Sequence, residues 1–299
     1  MSVFDTLIRH GLPLVPKVIV GAVARRYVAG DSIDDAVHTM RQLNQEGALT
    51  TVDVLGEEVQ DVARAELGLR EYLGLLDTIE RERLDRNISV KPTALGLKID
   101  ETMCAEHIES IVARASEMGG FVRIDMEDHT CTDATLRIYR RVRERYSNLG
   151  VVLQAYLFRT VADLTDLLPL QPNVRICKGI YREPRSVAWQ GFATVQANFI
   201  YATEKLLSGG AHVGIATHDP HLVWAAMTLI DRLRVGPDRY EFQMLLGVDP
   251  ELRRIILDLG YRMRVYVPFG RDWYPYSMRR LRENPTVARH VMRAMLGSP

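Results

Sequence analysis

The sequence predicts a (β/α)₈ TIM-type barrel, an α/β fold, with an N-terminal helical extension and a final helix that covers the active site. First, short runs rich in Val and Ile alternate with helical segments eight times in roughly 250 residues. Second, polar residues gather at the carboxyl ends of the predicted strands, where active sites of this fold lie. Third, the other fold considered, an open doubly wound sheet, should carry a Gly-rich phosphate loop, and the sequence has no GxGxxG or Walker pattern.

The composition is that of a soluble globular protein with one domain. Of 299 residues, 47% are hydrophobic and 25% are charged, which is enough to bury a full core. Basic and acidic residues balance at 38 each, so nothing in the net charge favours nucleic acid as a partner. Three cysteines without a CxxC pair fit a reducing cytoplasm. We expect a single domain over residues 1–299, with a helical arm at 1–45 and the barrel at 46–299.

The N-terminal arm contains two distinct segments. Leu12–Ala24 is apolar, but it contains Pro13, Pro16 and Lys17 and is too short to cross a bilayer. Without a clear small-residue cleavage site, a packed or surface-lying helix is favoured over a signal peptide. Contact of this segment with a membrane surface stays open. Ile33–Glu46 has the spacing of an amphipathic helix that leads into the barrel.

The eight predicted strands are short and apolar, as strands buried on both faces are. They are Ala48–Val54, Ile88–Lys91, Phe121–Asp125, Val151–Tyr156, Val174–Lys178, Ala211–Thr217, Tyr240–Leu245 and Met263–Val267. The helical segments that follow them are Glu57–Asp85, Met103–Met118, Asp133–Asn148, Thr160–Leu167, Ser186–Ser208, His221–Leu233, Pro250–Leu259 and Trp273–Leu296. Asp133 has the position of an N-cap, and Gly119 and Gly209 have the positions of C-terminal caps.

Polar side chains follow the predicted strands at the end where the barrel should open. Lys91 precedes Pro92, which holds it extended, and a lysine inside a β-run is costly unless it faces a site or water. Asp125 and Glu127 alternate with apolar residues, so both carboxylates share one face. Gly179 would let the backbone approach a ligand closely. Each feature alone has a structural explanation, but their gathering at seven or eight strand ends predicts a site.

The last predicted helix carries polar residues where a helix usually buries Leu and Val. Tyr276, Arg279, Arg280 and Glu283 fall at i, i+3, i+4 and i+7, which places all four on one face. Two adjacent arginines suit a small carboxylate or phosphate. We therefore expect this helix to cover an anion-binding site.

Two other functions stay open on the residues alone. Asp125, Glu127 and His218 offer ligands for a metal-dependent barrel lyase or isomerase. No HxH or HExxH spacing is present, and cations at the same strand ends would repel a divalent ion, so no metal is expected. The second alternative is a non-catalytic barrel that binds an amino acid.

Taken together, the strand-end motifs resemble those of monofunctional bacterial proline dehydrogenase, a family of FAD-dependent (β/α)₈ flavoenzymes. The resemblance covers nearly the whole chain and depends on the order and spacing of its motifs. They are DVLGE at 53–57, SVKPT at 89–93, IDME at 124–127, LQAY at 153–156, VRICKG at 174–179, ATHD at 216–219, EFQML at 241–245, and Tyr266 with Arg279, Arg280 and Glu283.

The resemblance implies a reaction and a cellular setting. The family oxidises L-proline to Δ1-pyrroline-5-carboxylate by hydride transfer to FAD and passes the electrons to a membrane quinone. This is the first step of proline catabolism to glutamate. A cytoplasmic protein with peripheral contact at the inner face of the cell membrane is implied. A separate pyrroline-5-carboxylate dehydrogenase would carry out the next oxidation.

The resemblance also implies roles for individual residues. Substrate would be bound by Lys91, Tyr266, Tyr276, Arg279, Arg280 and Glu283. FAD would be held by Met126, Gln154, Arg175, Lys178, Gly179, Ile180, Thr217 and His218. Asp125 and Arg175 would be catalytic, with Arg175 against the flavin and Asp125 positioning the cations. The family often has Ala where this chain has Ile180, and Asn where it has Asp219.

Overall fold

The computed structural model describes residues 21, 24, 26–274 and 276–278. Within them, eight parallel strands close into one barrel in chain order, and β8 pairs with β1. The strands are β1 Leu49–Val54, β2 Asn87–Val90, β3 Phe121–Ile124, β4 Leu149–Gln154, β5 Asn173–Cys177, β6 His212–Ala216, β7 Tyr240–Leu245 and β8 Met263–Phe269. The helices are α1 Ile33–Gln45, α2 Val62–Arg81, α3 Glu101–Glu117, α4 Thr132–Arg143, α5 Thr160–Leu167, α6 Phe192–Ser208, α7 Pro220–Arg232 and α8 Pro250–Asp258. The predicted (β/α)₈ barrel is confirmed.

The strands divide their side chains between two environments because successive residues point to opposite faces. One set is apolar, joins the main hydrophobic core and packs under the helices, as Val52, Ile176 and Val265 do. The other set points into the barrel and is largely polar, as Asp53 and Arg175 are. The polar set therefore follows from strand periodicity and lies where the barrel axis runs.

Glycines on β4 and β6 make room for long side chains inside the barrel. Gly150 pairs in register with Arg123 on β3, and Gly214 pairs with Arg175 on β5. A Cβ atom at Gly214 would lie 2.6 Å from Nε2 of Gln243 on β7, which is closer than real Cβ contacts allow. Neighbouring strands thus alternate small and large residues, as the layered packing of this fold requires.

Five helices, α2, α3, α4, α6 and α7, begin at other residues than the sequence predicts. Helix α2 begins at Val62, because the Asp61 side chain caps it by accepting the Arg64 N–H at 3.0 Å. Helix α4 begins at Thr132, so Asp133 lies in its first turn and is not the N-cap. Helix α6 begins at Phe192 with Gly191 as its N-cap, because residues 185–187 form a turn and Ala188 forms an isolated bridge with Leu157.

The predicted amphipathic lead-in helix is α1. A capping box starts it: the Ser32 hydroxyl accepts the Asp35 N–H at 3.2 Å, and the Asp35 carboxylate accepts the Ser32 N–H at 3.0 Å. Of the predicted Trp273–Leu296 helix, residues 273–274 and 276–278 are helical and the rest lie outside the described residues. Among the described residues, no helix is both long enough and apolar enough to cross a membrane.

Candidate active site

The predicted site residues meet in one cavity at the carboxyl ends of the strands. Its volume is about 880 Å³, within the range of roughly 300–1,000 Å³ found for small-molecule and cofactor sites. Twelve predicted residues line it: Lys91, Asp125, Met126, Gln154, Arg175, Lys178, Gly179, Ile180, Thr217, His218, Tyr266 and Tyr276. The other three, Arg279, Arg280 and Glu283, lie outside the described residues.

A continuous hydrogen-bonded network that includes Arg175, Asp125, Tyr266, Lys91 and Asp53 lies along one wall of the cavity. Nη1 of Arg175 donates to Oδ1 of Asp125 at 2.7 Å, and the Tyr266 hydroxyl donates to Oδ2 of Asp125 at 2.8 Å. Nζ of Lys91 donates to the Tyr266 hydroxyl at 3.2 Å and forms an ion pair with Asp53. Two cations and two carboxylates therefore alternate through the network, with the phenol between them.

The pKa shifts in this network follow from its burial and its charges. Burial raises the pKa of the Asp53 carboxyl, although the charge of Lys91 opposes the shift. Burial would lower the pKa of Lys91, but Asp53 and Asp125 outweigh it and hold that pKa above its ordinary value. Burial, with the same two carboxylates, keeps the pKa of Tyr266 well above its usual range. The wall thus presents a charged lysine and a tyrosine that keeps its proton.

Asp53 and Tyr72 belong to this site although the sequence analysis gave them no role. Asp53 is fully buried, and the Tyr72 hydroxyl donates to its Oδ1 at 3.0 Å. Asp53 also holds the Lys91 ammonium. The alternation along β1 could have identified Asp53. It stands between Val52 and Val54, which face the helices, so its side chain must point into the barrel. Tyr72 lies on α2, and no local pattern distinguishes it from a core tyrosine.

Other residues that line the cavity offer backbone and amide groups. Gly179 has φ +108°, a conformation that L side chains rarely adopt, and a Cβ atom there would overlap the Tyr156 ring. Oε1 of Gln154 is buried and accepts no hydrogen bond within the described part of the chain. Nε2 of His218 accepts the Leu245 N–H at 2.9 Å, which fixes the ring on the end of β7. The Gln154 oxygen is therefore available to accept a hydrogen bond from a ligand in the cavity.

Asp219 has structural partners that account for an acid at this position. Its side chain caps α7 by accepting the His221 N–H at 3.1 Å. It also accepts from Nε2 of Gln196 at 2.8 Å and from Nζ of Lys178 at 3.3 Å. Burial would raise the pKa of Asp219, but the hydrogen bond from Gln196 and the charge of Lys178 hold it below its usual range. Asp219 therefore fixes the Lys178 ammonium at the edge of the cavity.

The loop after β5 is tied to the loop after β3 by a residue that the sequence did not single out. The Glu183 carboxylate accepts the His129 N–H at 2.8 Å and pairs with Nδ1 of the same histidine. The Tyr156 hydroxyl donates to it at 3.3 Å. Glu183 is buried, so it anchors the loop that carries Gly179 and Ile180. These contacts join distant parts of the chain, and no sequence spacing indicates them.

The residues considered for a metal have other partners. The Glu127 carboxylate accepts from the Thr93 hydroxyl and the Thr93 N–H, while Asp125 holds Arg175. Nε2 of His218 accepts a backbone N–H. Within the described residues, no three His, Cys, Asp or Glu side chains form a group that could hold a metal ion.

Comparisons with known proteins place the chain in a family. The model of the family described as proline dehydrogenase matches residues 36–293. The chain belongs to the proline dehydrogenase family. Proline dehydrogenase 1 of Bacillus subtilis subsp. natto is 37% identical over 273 residues, which cover 91% of this chain and 90% of that protein. Proline dehydrogenase of Deinococcus radiodurans is 35% identical over 279 residues, which cover 92% and 90%.

Solved structures agree with the membership in the proline dehydrogenase family. Proline utilization A (PutA) from Bdellovibrio bacteriovorus, inactivated by N-propargylglycine, superposes with a TM-score of 0.83 and 25% sequence identity. The match covers 88% of this chain and 33% of the PutA chain, so this chain spans about a third of that longer protein. The resemblance drawn from the strand-end motifs is thereby confirmed.

Proposed function

We propose that this protein is a flavoenzyme that oxidises L-proline to Δ1-pyrroline-5-carboxylate and passes the electrons to a membrane quinone. The observation that carries the proposal is the network of Lys91, Tyr266, Asp125 and Arg175 on the cavity wall of a proline dehydrogenase family member. A quinone acceptor places the protein in the cytoplasm with peripheral contact at the inner face of the membrane. A separate pyrroline-5-carboxylate dehydrogenase would use the product. We treat the chain as one domain, an arm at 1–45 and a barrel at 46–299.

The described residues fit FAD as the cofactor. Oε1 of Gln154 is a buried acceptor without a partner in the described part of the chain, and an N–H of the ligand would satisfy it. Gly179 lines the cavity, and because it has no Cβ, the backbone there packs directly against the Tyr156 ring. The residues proposed to hold FAD are Met126, Gln154, Arg175, Lys178, Gly179, Ile180, Thr217 and His218. When bound, FAD supplies the acceptor for the hydride that leaves C5 of proline.

The cations of the cavity would bind the proline carboxylate. Lys91 keeps its charge because Asp53 and Asp125 raise its pKa. Arg279 and Arg280 would complete the carboxylate site, and this role is proposed from the sequence because both lie outside the described residues. The carboxylate is remote from C5, so its capture serves to orient the reacting C–H bond.

Aromatic side chains would hold the pyrrolidine ring. Tyr266 and Tyr276 are both buried and both line the cavity. Tyr266 is fixed by its hydrogen bond to Asp125 and by Arg175, whose Cζ lies 5.3 Å from the ring centroid. These rings would exclude water from the reacting carbon and limit the substituents that a substrate can carry. Glu283 would position the neighbouring arginines.

Arg175 and Asp125 are the residues proposed to act on the chemical step. A guanidinium fixed in a buried site stabilises negative charge that develops beside it without reorganising at the moment of reaction. The Asp125 carboxylate accepts hydrogen bonds from both Arg175 and Tyr266. It therefore fixes the position of the guanidinium relative to the tyrosine ring that would contact the substrate.

The proposal is tested by the absorbance spectrum of the purified protein. We expect flavin absorbance that is bleached by L-proline in the absence of oxygen and returns when a soluble quinone is added. L-Alanine, which has the carboxylate and amine without the ring, is the control and should leave the spectrum unchanged. Protein that is colourless and cannot be reconstituted with FAD would refute the function. A stoichiometric divalent ion without flavin would favour the metal-dependent lyase or isomerase.

A further inference from the structure

Gln243 on β7 links Arg175 to charges deeper in the barrel. Nε of Arg175 donates to Oε1 of Gln243. At its other end, Nε2 of Gln243 donates to Oε1 of Glu241 at 2.6 Å. Glu241 and Gln243 are two residues apart on one strand, so both point into the barrel. The amide therefore uses both of its ends, one toward the cavity and one toward the barrel interior.

The orientation of this amide is set by an ion pair below it. Nε and Nη2 of Arg264 donate to the two carboxylate oxygens of Glu241 at 2.7 and 3.0 Å, and Nη1 donates to the Thr50 carbonyl at 2.7 Å. Burial would raise the pKa of Glu241, but Arg264 and Gln243 lower it to about 2. An ionised carboxylate only accepts hydrogen bonds. Gln243 must therefore turn its NH₂ group toward Glu241, which leaves its oxygen for Arg175.

Arg175 is held at three points, by side chains on β2 and β7 and by the residue that follows β3. Besides Gln243, Nη1 donates to Asp125 at 2.7 Å and Nη2 donates to the Ser89 hydroxyl at 3.1 Å. Arg175, Ser89 and Gln243 are all buried. Because the guanidinium is planar, three contacts along its edges fix both its position and its plane. Losing the contact at Nε would free the group to rotate about the remaining two.

The barrel also provides the space that Gln243 needs. Gly214 on β6 lies beneath its amide, and a Cβ atom there would stand 2.6 Å from Nε2 and 2.9 Å from Cδ. Any side chain at position 214 would therefore displace the end of the glutamine. Gly214, the Glu241–Arg264 ion pair and the Gln243 amide therefore act together on the position of Arg175.

We propose that Gln243 is a positioning residue: its amide, oriented by the Glu241–Arg264 pair, fixes the plane of the Arg175 guanidinium at the cavity wall. The inference rests on the proposed flavin chemistry, because it is toward a bound flavin that Arg175 presents its charge. A fixed cation favours the negative charge that a flavin gains on reduction. Gln243 therefore raises the reduction potential of the bound flavin through Arg175, without contacting the reacting atoms.

The experiment compares Gln243→Met with wild type by spectroelectrochemical titration of the flavin-loaded protein. Methionine keeps the length and neutrality of the side chain and removes its hydrogen bonds. We expect the potential to fall by about 30 mV, which is a tenfold change in the equilibrium constant of a two-electron couple. We expect kcat for proline to fall on the order of tenfold with a smaller change in KM, since substrate binding does not require the fixed plane.

A double-mutant cycle separates positioning from a general structural role. In an Arg175→Lys background the Nε–H is gone, so Gln243→Met should cause no further fall in potential. Thr203→Val is the control, because Thr203 is buried like Gln243, but its hydroxyl donates to the Phe199 carbonyl on α6 and it does not line the cavity. Its potential should equal that of wild type. Gly214→Ala provides a second route, since it displaces the amide while keeping every polar atom, and should lower the potential in the same direction.

Two results would overturn the inference while leaving the proposed function intact. One is flavin that proline still reduces but whose potential is unchanged in both Gln243→Met and Gly214→Ala. The other is a fall in potential that is as large in the Arg175→Lys background as in wild type. A wild-type protein that binds no flavin would instead refute the proposed function.

Discussion

Glu127 offers a sharp test of the electrostatics of the barrel, because it is an acid buried without a cation bonded to it in the described contacts. It is 2% exposed. Its carboxylate accepts from the Thr93 N–H at 2.8 Å and from the Thr93 hydroxyl at 2.5 Å. Burial raises the pKa of Glu127 to about 7, although the hydrogen bonds from Thr93 oppose the shift. The perturbation we consider is Glu127→Gln, which keeps the shape and cannot ionise.

The magnitude follows from the difference in pKa between the folded and unfolded states. The ordinary value is 4.5 and the folded value is about 7, so the folded protein binds this proton more tightly than the unfolded chain. Stability from this group is therefore fully present below pH 4.5 and is lost as the pH rises to 7. At 1.36 kcal/mol for each unit of pKa shift, the loss is about 3 kcal/mol. A glutamine at position 127 does not titrate, so the variant does not lose this stability as the pH rises.

The assay is urea unfolding of wild type and Glu127→Gln at pH 5 and pH 8. We expect the free energy of unfolding of the variant, relative to wild type, to rise by about 2.5 kcal/mol between the two pH values, since part of the loss has already occurred at pH 5. Exposed Glu251 on α8 provides the control, and Glu251→Gln should show no such change. If the stability difference for Glu127→Gln is the same at both pH values, the carboxyl does not titrate as argued, and the reasoning fails.

Three further perturbations test the site. Gly179→Ala should destabilise the fold by about 1–3 kcal/mol and reduce flavin content, since it adds a Cβ at φ +108° against the Tyr156 ring. The control is Gly47→Ala, because Gly47 has φ +86° but a Cβ atom there would contact nothing, so this variant measures the cost of the backbone conformation alone. If both variants lose the same stability, the overlap with Tyr156 does not contribute. Tyr72→Phe removes a donor to buried Asp53 and should cost about 1–3 kcal/mol in urea unfolding, and an unchanged midpoint would contradict it. Arg279→Met should raise KM for proline by the equivalent of roughly 2–4 kcal/mol while FAD stays bound, and normal proline kinetics would refute the carboxylate role.

The fold could be predicted because its signals are local. Most strands are short runs rich in Val and Ile, and the parallel order follows from the helix between each pair of strands. Boundaries were less certain where tertiary contacts decide them. The loop before α2 is held by Thr93, whose hydroxyl accepts the Glu58 N–H at 2.9 Å, and this contact spans 35 residues. No periodicity in the segment itself indicates where the helix begins.

The sequence predicts which residues form the candidate site, but it does not predict which of them form hydrogen bonds or ion pairs with each other. Strand-end position, the last predicted helix and the family resemblance together identified twelve residues that line one cavity. Which of them pair depends on the register and closure of the barrel. Tyr266 and Asp125 are 141 residues apart, and Arg175 and Gln243 are 68 apart. Asp53 could have been predicted from the alternation of side chains along β1. Glu183 and Tyr72 lie outside the strands, and no sequence pattern marks them as site residues.

The interior of the barrel explains why the cavity can hold so much charge. Three buried cations pair with carboxylates from other parts of the barrel: Lys91 with Asp53, Arg175 with Asp125, and Arg264 with Glu241. A fourth, Arg123, donates instead to the Val151 and Asn173 carbonyls. Breaking a buried pair by removing one partner is costly, so each pair constrains both of its strands. Closure of the barrel brings the partners together, and the partners in turn oppose any change of register between strands. The side chains proposed for catalysis are therefore part of what holds the barrel in one register, and replacing Asp125 by Asn should lower stability as well as activity.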